Sequence, residues 1–304
     1  MIRCDRLIVA HAGQMVIDRL TLGIAAGEAW AIIGETGSGK SSLLAALGGA
    51  LPIQGGDVMI AGRSLRREPD LARLGVGYAP PHLSGWPGVR ADEFLALFAA
   101  AHRSPEATRA AIGRGLGMAG LGSRPAATID ALSDGTAKLL LIARALLLDP
   151  EVLVLDDPFS GLDPRGREQV ERLIADAHLA GRAVIAAIDD ARVPACFTHL
   201  ALLREGRLEH HGPADFAAVA ATRPWRHRLH CPRQAKAAAA ALARVTTGVE
   251  LVDGDTVDCV LACSGGLDRP TAADALAALS AAGIAVAEFG IEPPWTVQLL
   301  ARPA

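Results

Sequence analysis

Hydrophobic positions change their spacing several times along the chain, and each change marks an element. "RLIVAHAG" and "DRLTLGI" are short β-rich segments, and "AWAIIG", Ala29 to Gly34, is an unbroken apolar run that predicts a buried strand ending on glycine. A helix is predicted from Lys40 through "KSSLLAALGGAL", stopped by Gly48, Gly49 and Pro52. A strand pair follows around "GDVMIAG" and "GVGYAP". From about Leu83 to Lys138 the spacing turns helical, in "ADEFLALFAAAHR" and "PEATRAAIGRGLGMAGL", broken by Pro and Gly clusters. This predicts a helical insertion, about 83–138, in an α/β domain. Strand pattern returns in "EVLVLDD", then a helix over "PRGREQVERLIADAHLA", a strand at "AVIAAID" and a hairpin "HLALLREGRLEHHG" turning at "REG". From about Gln234 to Ala304 the order restarts as helix, strand, strand, helix, strand, helix, with "VDGDT" as a hairpin turn. A boundary is therefore expected within 222–233, between a domain over 1–222 and a small α+β domain over 234–304.

Composition narrows the function classes. The 304 residues suffice for one large and one small domain, and 51% hydrophobic with 21% charged residues is ordinary for a soluble globular chain, the apolar share being rich in alanine. A formal net charge of −3 gives no overall attraction to nucleic acid or anionic lipid, so no nucleic-acid partner is expected. The densest basic stretch, "RPWRHRLHCPRQAK" from Arg223 to Lys236, is read as a solvated linker, contact with a phosphate backbone being the alternative. Cys4, Cys196, Cys231, Cys259 and Cys263 form no C-x-x-C pair, which points to reduced thiols in a cytoplasmic protein. Neither Cys259 with Cys263 nor His227, His230 and Cys231 has structural-zinc spacing. The start of the chain lacks a signal-peptide pattern, and no run approaches the ~20 apolar residues of a membrane span. Any membrane span must come from another chain.

Candidate chemistry concentrates at two places. "GETGSGKS", Gly34 to Ser41, fits G-x-x-x-x-G-K-[ST] and lies between a predicted strand and a predicted helix. Its glycines let backbone N–H groups wrap a polyphosphate, and the helix start adds the positive end of its dipole. Gly34, Thr36, Gly37, Ser38, Gly39, Lys40, Ser41 and Ser42 are the candidate nucleotide contacts. Lys40 would reach the β and γ phosphates of ATP, and Ser41 would bind Mg²⁺. The second place is "LVLDDPFSGLDP", where Asp156 closes an apolar strand and is a candidate Mg²⁺ ligand.

The block "LSDGTAKLLLIARALLLDPEVLVLDDPFSGLDP", together with "GEAWAIIGETGSGKSSLL" and "LLREGRLEHHG", resembles the nucleotide-binding domain of ABC-type ATPases over roughly residues 1–220. The resemblance implies an α/β fold: a P-loop NTPase domain with a helical insertion and an antiparallel β region. It also implies ATP and Mg²⁺ as ligands and a working pair of cassettes, each pair of subunits sharing two nucleotides. Ser133 and Gly135 of "LSDGT" would then touch ATP held by the opposite subunit, Asp163 would belong to the D-loop, and His11 would take the place of the aromatic ring that stacks on adenine. Ser133 also reads as the cap of the helix through "AKLLLIARALL".

Departures from the family pattern fall on catalytic positions. The general base, normally Glu, is Asp157, one methylene shorter; the switch histidine is Asp189, which cannot donate to a phosphate; the Q-loop glutamine is Pro81. Asp134 and Thr136 replace the Gly and Gln of the signature. ATP and Mg²⁺ binding are expected to survive and hydrolysis to be slow or absent. The block "ALSAAGIAVAEFGIEPPWTVQLLAR" resembles the small C-terminal extension of exporter ATPase subunits, and a generic cap fits it as well. The first expectation is therefore the ATP-binding subunit of a bacterial ABC transporter, peripheral on the inner face of the plasma membrane, with a separate integral-membrane permease and a second cassette, a homodimer mate or an intact paralogue, as partners. The alternative is a soluble nucleotide-gated regulatory or assembly protein with little ATPase activity.

Overall fold

A computed structural model describes the chain except at residues 12, 102–103, 189–192, 215–224, 247–248, 252–254, 262–271 and 293–304. The chain divides into two compact units, Met1–Asp215 and Phe216–Ala304.

The first unit is built on a six-stranded sheet. Its centre is β3 (Ala29–Ile33) beside β8 (Ala183–Ala187), which pairs in turn with β7 (Val152–Asp156), and all three are buried along their whole length. Parallel strands covered on both faces read as continuous apolar runs, which is why "AWAII", "VLVLD" and "AVIAA" show no alternation. The strand order is β10-β9-β3-β8-β7-β6, with β6 (Val76–Ala79) at one edge. The hairpin of β9 (His199–Arg204) and β10 (Arg207–Pro213), its two strands antiparallel, forms the other edge. A second, antiparallel sheet has the order β2-β1-β4-β5, from β1 (Ile2–His11), β2 (Gln14–Ile24), β4 (Gly55–Ile60) and β5 (Arg63–Ser64). Helix α1 (Lys40–Leu47) contacts β1 and β2 of one sheet and β7 and β8 of the other. Leu43, Leu44 and Leu47 are fully buried there, each contributing about 1.5–3 kcal/mol relative to exposure.

The remaining helices are α2 (Pro69–Leu74), α3 (Ala91–Ala99), α4 (Pro105–Met118), α5 (Asp134–Leu146) and α6 (Pro164–Leu179). Helices α3, α4 and α5 contact one another, and α5 also packs on β6 and β7. Helix α5 runs past Lys138 to Leu146, in keeping with the helix read through "AKLLLIARALL", and lays its apolar stripe against the sheet. One expectation is corrected: "GDVMIAG" and "GVGYAP" give β4 and β6, which are not paired but lie in different sheets, since β6 extends the parallel sheet beside β7.

The second unit has the order β11 (Trp225–His230), α7 (Ala235–Leu242), β12 (Glu250–Leu251), β13 (Thr256–Leu261), α8 (Ala272–Ala281) and β14 (Glu288–Glu292). Its strands align as β12-β13-β11-β14 with every pair antiparallel, which is the split βαβ arrangement of ferredoxin-like folds. Leu229, Cys231, Ala238, Leu242, Val257, Cys259 and Leu279 form its core. The linker reading of the basic stretch is thereby overturned. Residues 225–230 are an inner strand, hydrogen-bonded by β13 on one side and β14 on the other, and the unit begins ahead of Gln234. Among the described residues no helix is long and apolar enough to cross a membrane, and no cluster of three or more His, Cys, Asp or Glu side chains could hold a metal.

Candidate functional site

The glycine-rich loop leaves β3 at its buried end and enters α1 through Gly39, whose φ of 104° is left-handed and open to glycine alone without strain. Gly34 has no room for a side chain, since a Cβ there would lie 2.4 Å from the Leu203 carbonyl oxygen and 2.5 Å from Ser38 Oγ. Lys40 is buried, and its Nζ donates to the Gly34 carbonyl at 2.8 Å and the Glu35 carbonyl at 3.1 Å. The lysine therefore folds the loop around itself. Ser41 Oγ donates to Asp156 Oδ1 at 3.1 Å, joining positions 115 residues apart. Asp156 is 2% exposed, at the end of β7.

These residues fit a polyphosphate with a divalent cation. Ser38 Oγ is buried with no hydrogen-bond partner among the described residues, and the first turn of α1 contains no acidic side chain to occupy its N–H groups. The hydroxyl of Ser41 beside the carboxylate of Asp156 is a hard oxygen pair of the kind Mg²⁺ takes. Thr36 and Gly37 are exposed on the loop, and Ser42 follows in α1.

A contact that the sequence reading missed holds this loop from outside. Gly206, in the β9–β10 turn, donates its N–H to the Ser38 carbonyl at 3.0 Å, while its own carbonyl accepts from Asp18 N at 3.1 Å. Glu205 and Gly206 both have positive φ, 47° and 75°, as the tight hairpin requires, and a Cβ on Gly206 would lie 2.1 Å from the Val16 carbonyl oxygen. The Arg207 guanidinium and, next, Arg19 hydrogen-bond Asp18 and hold its carboxyl below the usual carboxylate range. "REG" could be read as a turn, but not as a brace for the phosphate loop.

Asp157 is half-buried and carries φ +48°, a conformation that Asp tolerates better than longer or branched side chains. Its carbonyl accepts from Lys138 Nζ at 2.7 Å and Ser160 Oγ at 3.2 Å. Pro81 lies just past β6, offering its carbonyl but no side-chain donor. Burial lowers the Lys138 ammonium below the ordinary lysine value, against the opposing charges of Asp157 and Asp156. Asp189 lies outside the described residues.

The other predicted contacts gather separately. Ser133 caps α5, its hydroxyl accepting from Thr136 N at 3.3 Å, and Asp163 caps α6, accepting from Gly166 N at 2.7 Å. Gly135 packs so closely on the segment before α6 that a Cβ would lie 2.8 Å from the Gly161 carbonyl oxygen. Ser133 and Asp163 thus have structural employment and remain exposed. His11 is exposed at the end of β1.

Known proteins resemble this chain in sequence and fold. A family model described as ABC transporter matches residues 17–160. The hemin import ATP-binding protein HmuV of Streptomyces coelicolor is 34% identical over 226 residues, which is 68% of this chain and 76% of that protein. This chain belongs to the ABC transporter ATP-binding family. Another member, the sulfate/thiosulfate import ATP-binding protein CysA of Mycobacterium tuberculosis, is 30% identical over 69% of this chain. The human phospholipid-transporting ATPase ABCA7 is 35% identical over 59% of it. The chain spans 62% of the length of CysA and 8% of that of ABCA7. An ATP-binding cassette solved as a dimer with ADP and Pi aligns with a TM-score of 0.63 at 25% identity, covering 70% of this chain and 98% of the cassette. An ABC fold with a P-loop, as expected from the sequence, is thus shown, and the family model's match at residues 17–160 falls within the first unit.

Proposed function

We propose that this chain is the ATP-binding subunit of a bacterial ABC transporter, in which ATP binding and slow hydrolysis drive closure of two cassettes and move a separate membrane permease. The observation that carries the reading is the Ser41–Asp156 hydrogen bond, which sets the phosphate loop and the strand-end carboxylate side by side. Gly34, Thr36, Gly37, Ser38, Gly39, Lys40 and Ser42 hold the phosphates, and Ser41 and Asp156 hold Mg²⁺, which would neutralise charge on the β and γ phosphates when bound. His11 lies against the adenine. Asp157 is the carboxylate that takes a proton from water, with Asp189 at the switch position. Ser133, Gly135 and Asp163 face the nucleotide of the opposing cassette, which is a second copy or an intact paralogue. The relatives' names, as import ATP-binding proteins, support a permease partner and a place on the cytoplasmic face of the membrane. The chain's lack of a long apolar helix among its described residues is compatible with that arrangement.

The test combines calorimetry and membrane co-purification. The wild-type chain is expected to bind Mg²⁺-ATP, to lose about 100-fold or more in affinity on Lys40→Ala, and to co-purify with an integral-membrane protein from its native host. Equal affinity in wild type and Lys40→Ala, or a chain recovered wholly without a membrane partner, overturns the reading.

A further inference from the structure

Helix α5 holds two cationic side chains against the parallel sheet, and among the described residues both donate to backbone carbonyls. Arg144 donates to the Tyr78 carbonyl within β6, and its guanidinium lies 4.8 Å from the Phe98 ring centroid. Lys138, 5% exposed, donates to the Pro81 carbonyl at 2.5 Å and to the Asp157 carbonyl at 2.7 Å. A buried ammonium needs its N–H groups satisfied, and two backbone carbonyls from two different strand ends take two of its three. The lysine sits on the wall of a cavity of about 410 Å³, with Pro81, His82, Asp134, Ser160 and Gly161 among its other walls. These are the segment where the family glutamine is missing, the start of α5 and the segment after Asp157.

We propose that Lys138 is a positioning residue, tying the strand end at Pro81, where the family glutamine is absent, and the signature helix α5 to the peptide that carries Asp157. The proposal rests on the ATPase reading above. Asp157 holds a left-handed backbone, and such a conformation persists only where its surroundings impose it. The Lys138 ammonium and the Ser160 hydroxyl, both donating to the Asp157 carbonyl, impose it here. Because Ser133 caps the same helix, a shift of α5 on meeting a second cassette pulls directly on Asp157 through one side chain. Nucleotide affinity belongs to the loop at Gly34–Ser42 and is untouched by this link.

The experiment uses the full chain and Lys138→Met, which keeps the apolar stem but donates nothing, with Lys138→Arg as the conservative variant. Amide hydrogen exchange is followed over residues 79–83 and 156–161 without nucleotide, together with Mg²⁺-ATP affinity and turnover. Lys138→Met is expected to exchange faster in both segments, to keep affinity within about 3-fold, and to lose about 10- to 100-fold in turnover, with Lys138→Arg recovering protection and most of the rate. Unchanged exchange in both segments overturns the proposal, as does a loss of affinity equal to the loss of turnover, which marks general damage. If wild type does not bind ATP, the ATPase reading falls, and the exchange data still decide whether Lys138 holds the two segments together.

Discussion

The two sides of the nucleotide site have been treated differently. On the proposed phosphate side the loop is braced: Gly34 is too confined for any Cβ, Lys40 closes the loop, and Ser41 meets Asp156. On the water side the family's Gln and Glu are replaced by Pro81 and Asp157, and a buried lysine spans the gap between their carbonyls. Binding and catalysis draw on different contacts, because only interactions that strengthen in the transition state raise the rate. A cassette can thus keep its affinity for nucleotide while its turnover falls.

That contrast can be broken most forcibly at Gly34. Gly34→Ala drives a Cβ into the Leu203 carbonyl, and is expected to cost about 2–4 kcal/mol, lowering Tm by about 5–10 °C with a loss of Mg²⁺-ATP affinity of about 100-fold. Thermal melts and calorimetry check it, and an alanine variant that binds normally would show that the phosphate side is less braced than its geometry. The water side is sharpened by Asp157→Glu. The longer carboxylate is expected to raise turnover by about 10-fold, while placing Glu at φ +48° costs about 1 kcal/mol more than Asp and lowers Tm by about 2–4 °C. A rate that stays flat, measured by phosphate release, would move the limit from the base to Pro81 or Asp189. The smallest effect is expected from Arg207→Ala, which releases Asp18 from the strand-to-hairpin brace. Since Asp18's carboxyl is held below its ordinary value in the folded chain, the bridge stabilises above the usual carboxylate range and fades as pH falls through the lowered value. Melts of wild type and variant should differ by no more than about 2 °C at neutral pH and converge in acid.

The phosphate side was legible in the sequence because its chemistry is local: the glycines, Lys40 and Ser41 lie in one loop, and β3 and β7 announce themselves as unbroken apolar runs. Strand β11 was not, because "WRHRLH" shows charge where a strand shows alternation, and its partners come from residues far downstream. The Lys138 link escaped for a related reason. A lysine near the polar start of a helix reads as a solvated face until the fold brings Pro81 and Asp157 to its tip. Pro81, Asp157 and Asp189 were visible as departures, but what stands in for the lost side chains is a matter of tertiary contact.

The grip of Gly206 on the phosphate loop also has a bearing on how the chain is made. Ser38 emerges early in synthesis and Gly206 near the end of the first unit, so the hydrogen bond between them closes one of the longest contacts in that unit. Long-range closure of this kind comes late in folding. A nascent chain halted before the β9–β10 turn therefore carries the glycine-rich motif with the ties of Lys40 and Ser41 available to it but without the grip of Gly206, which only the hairpin supplies.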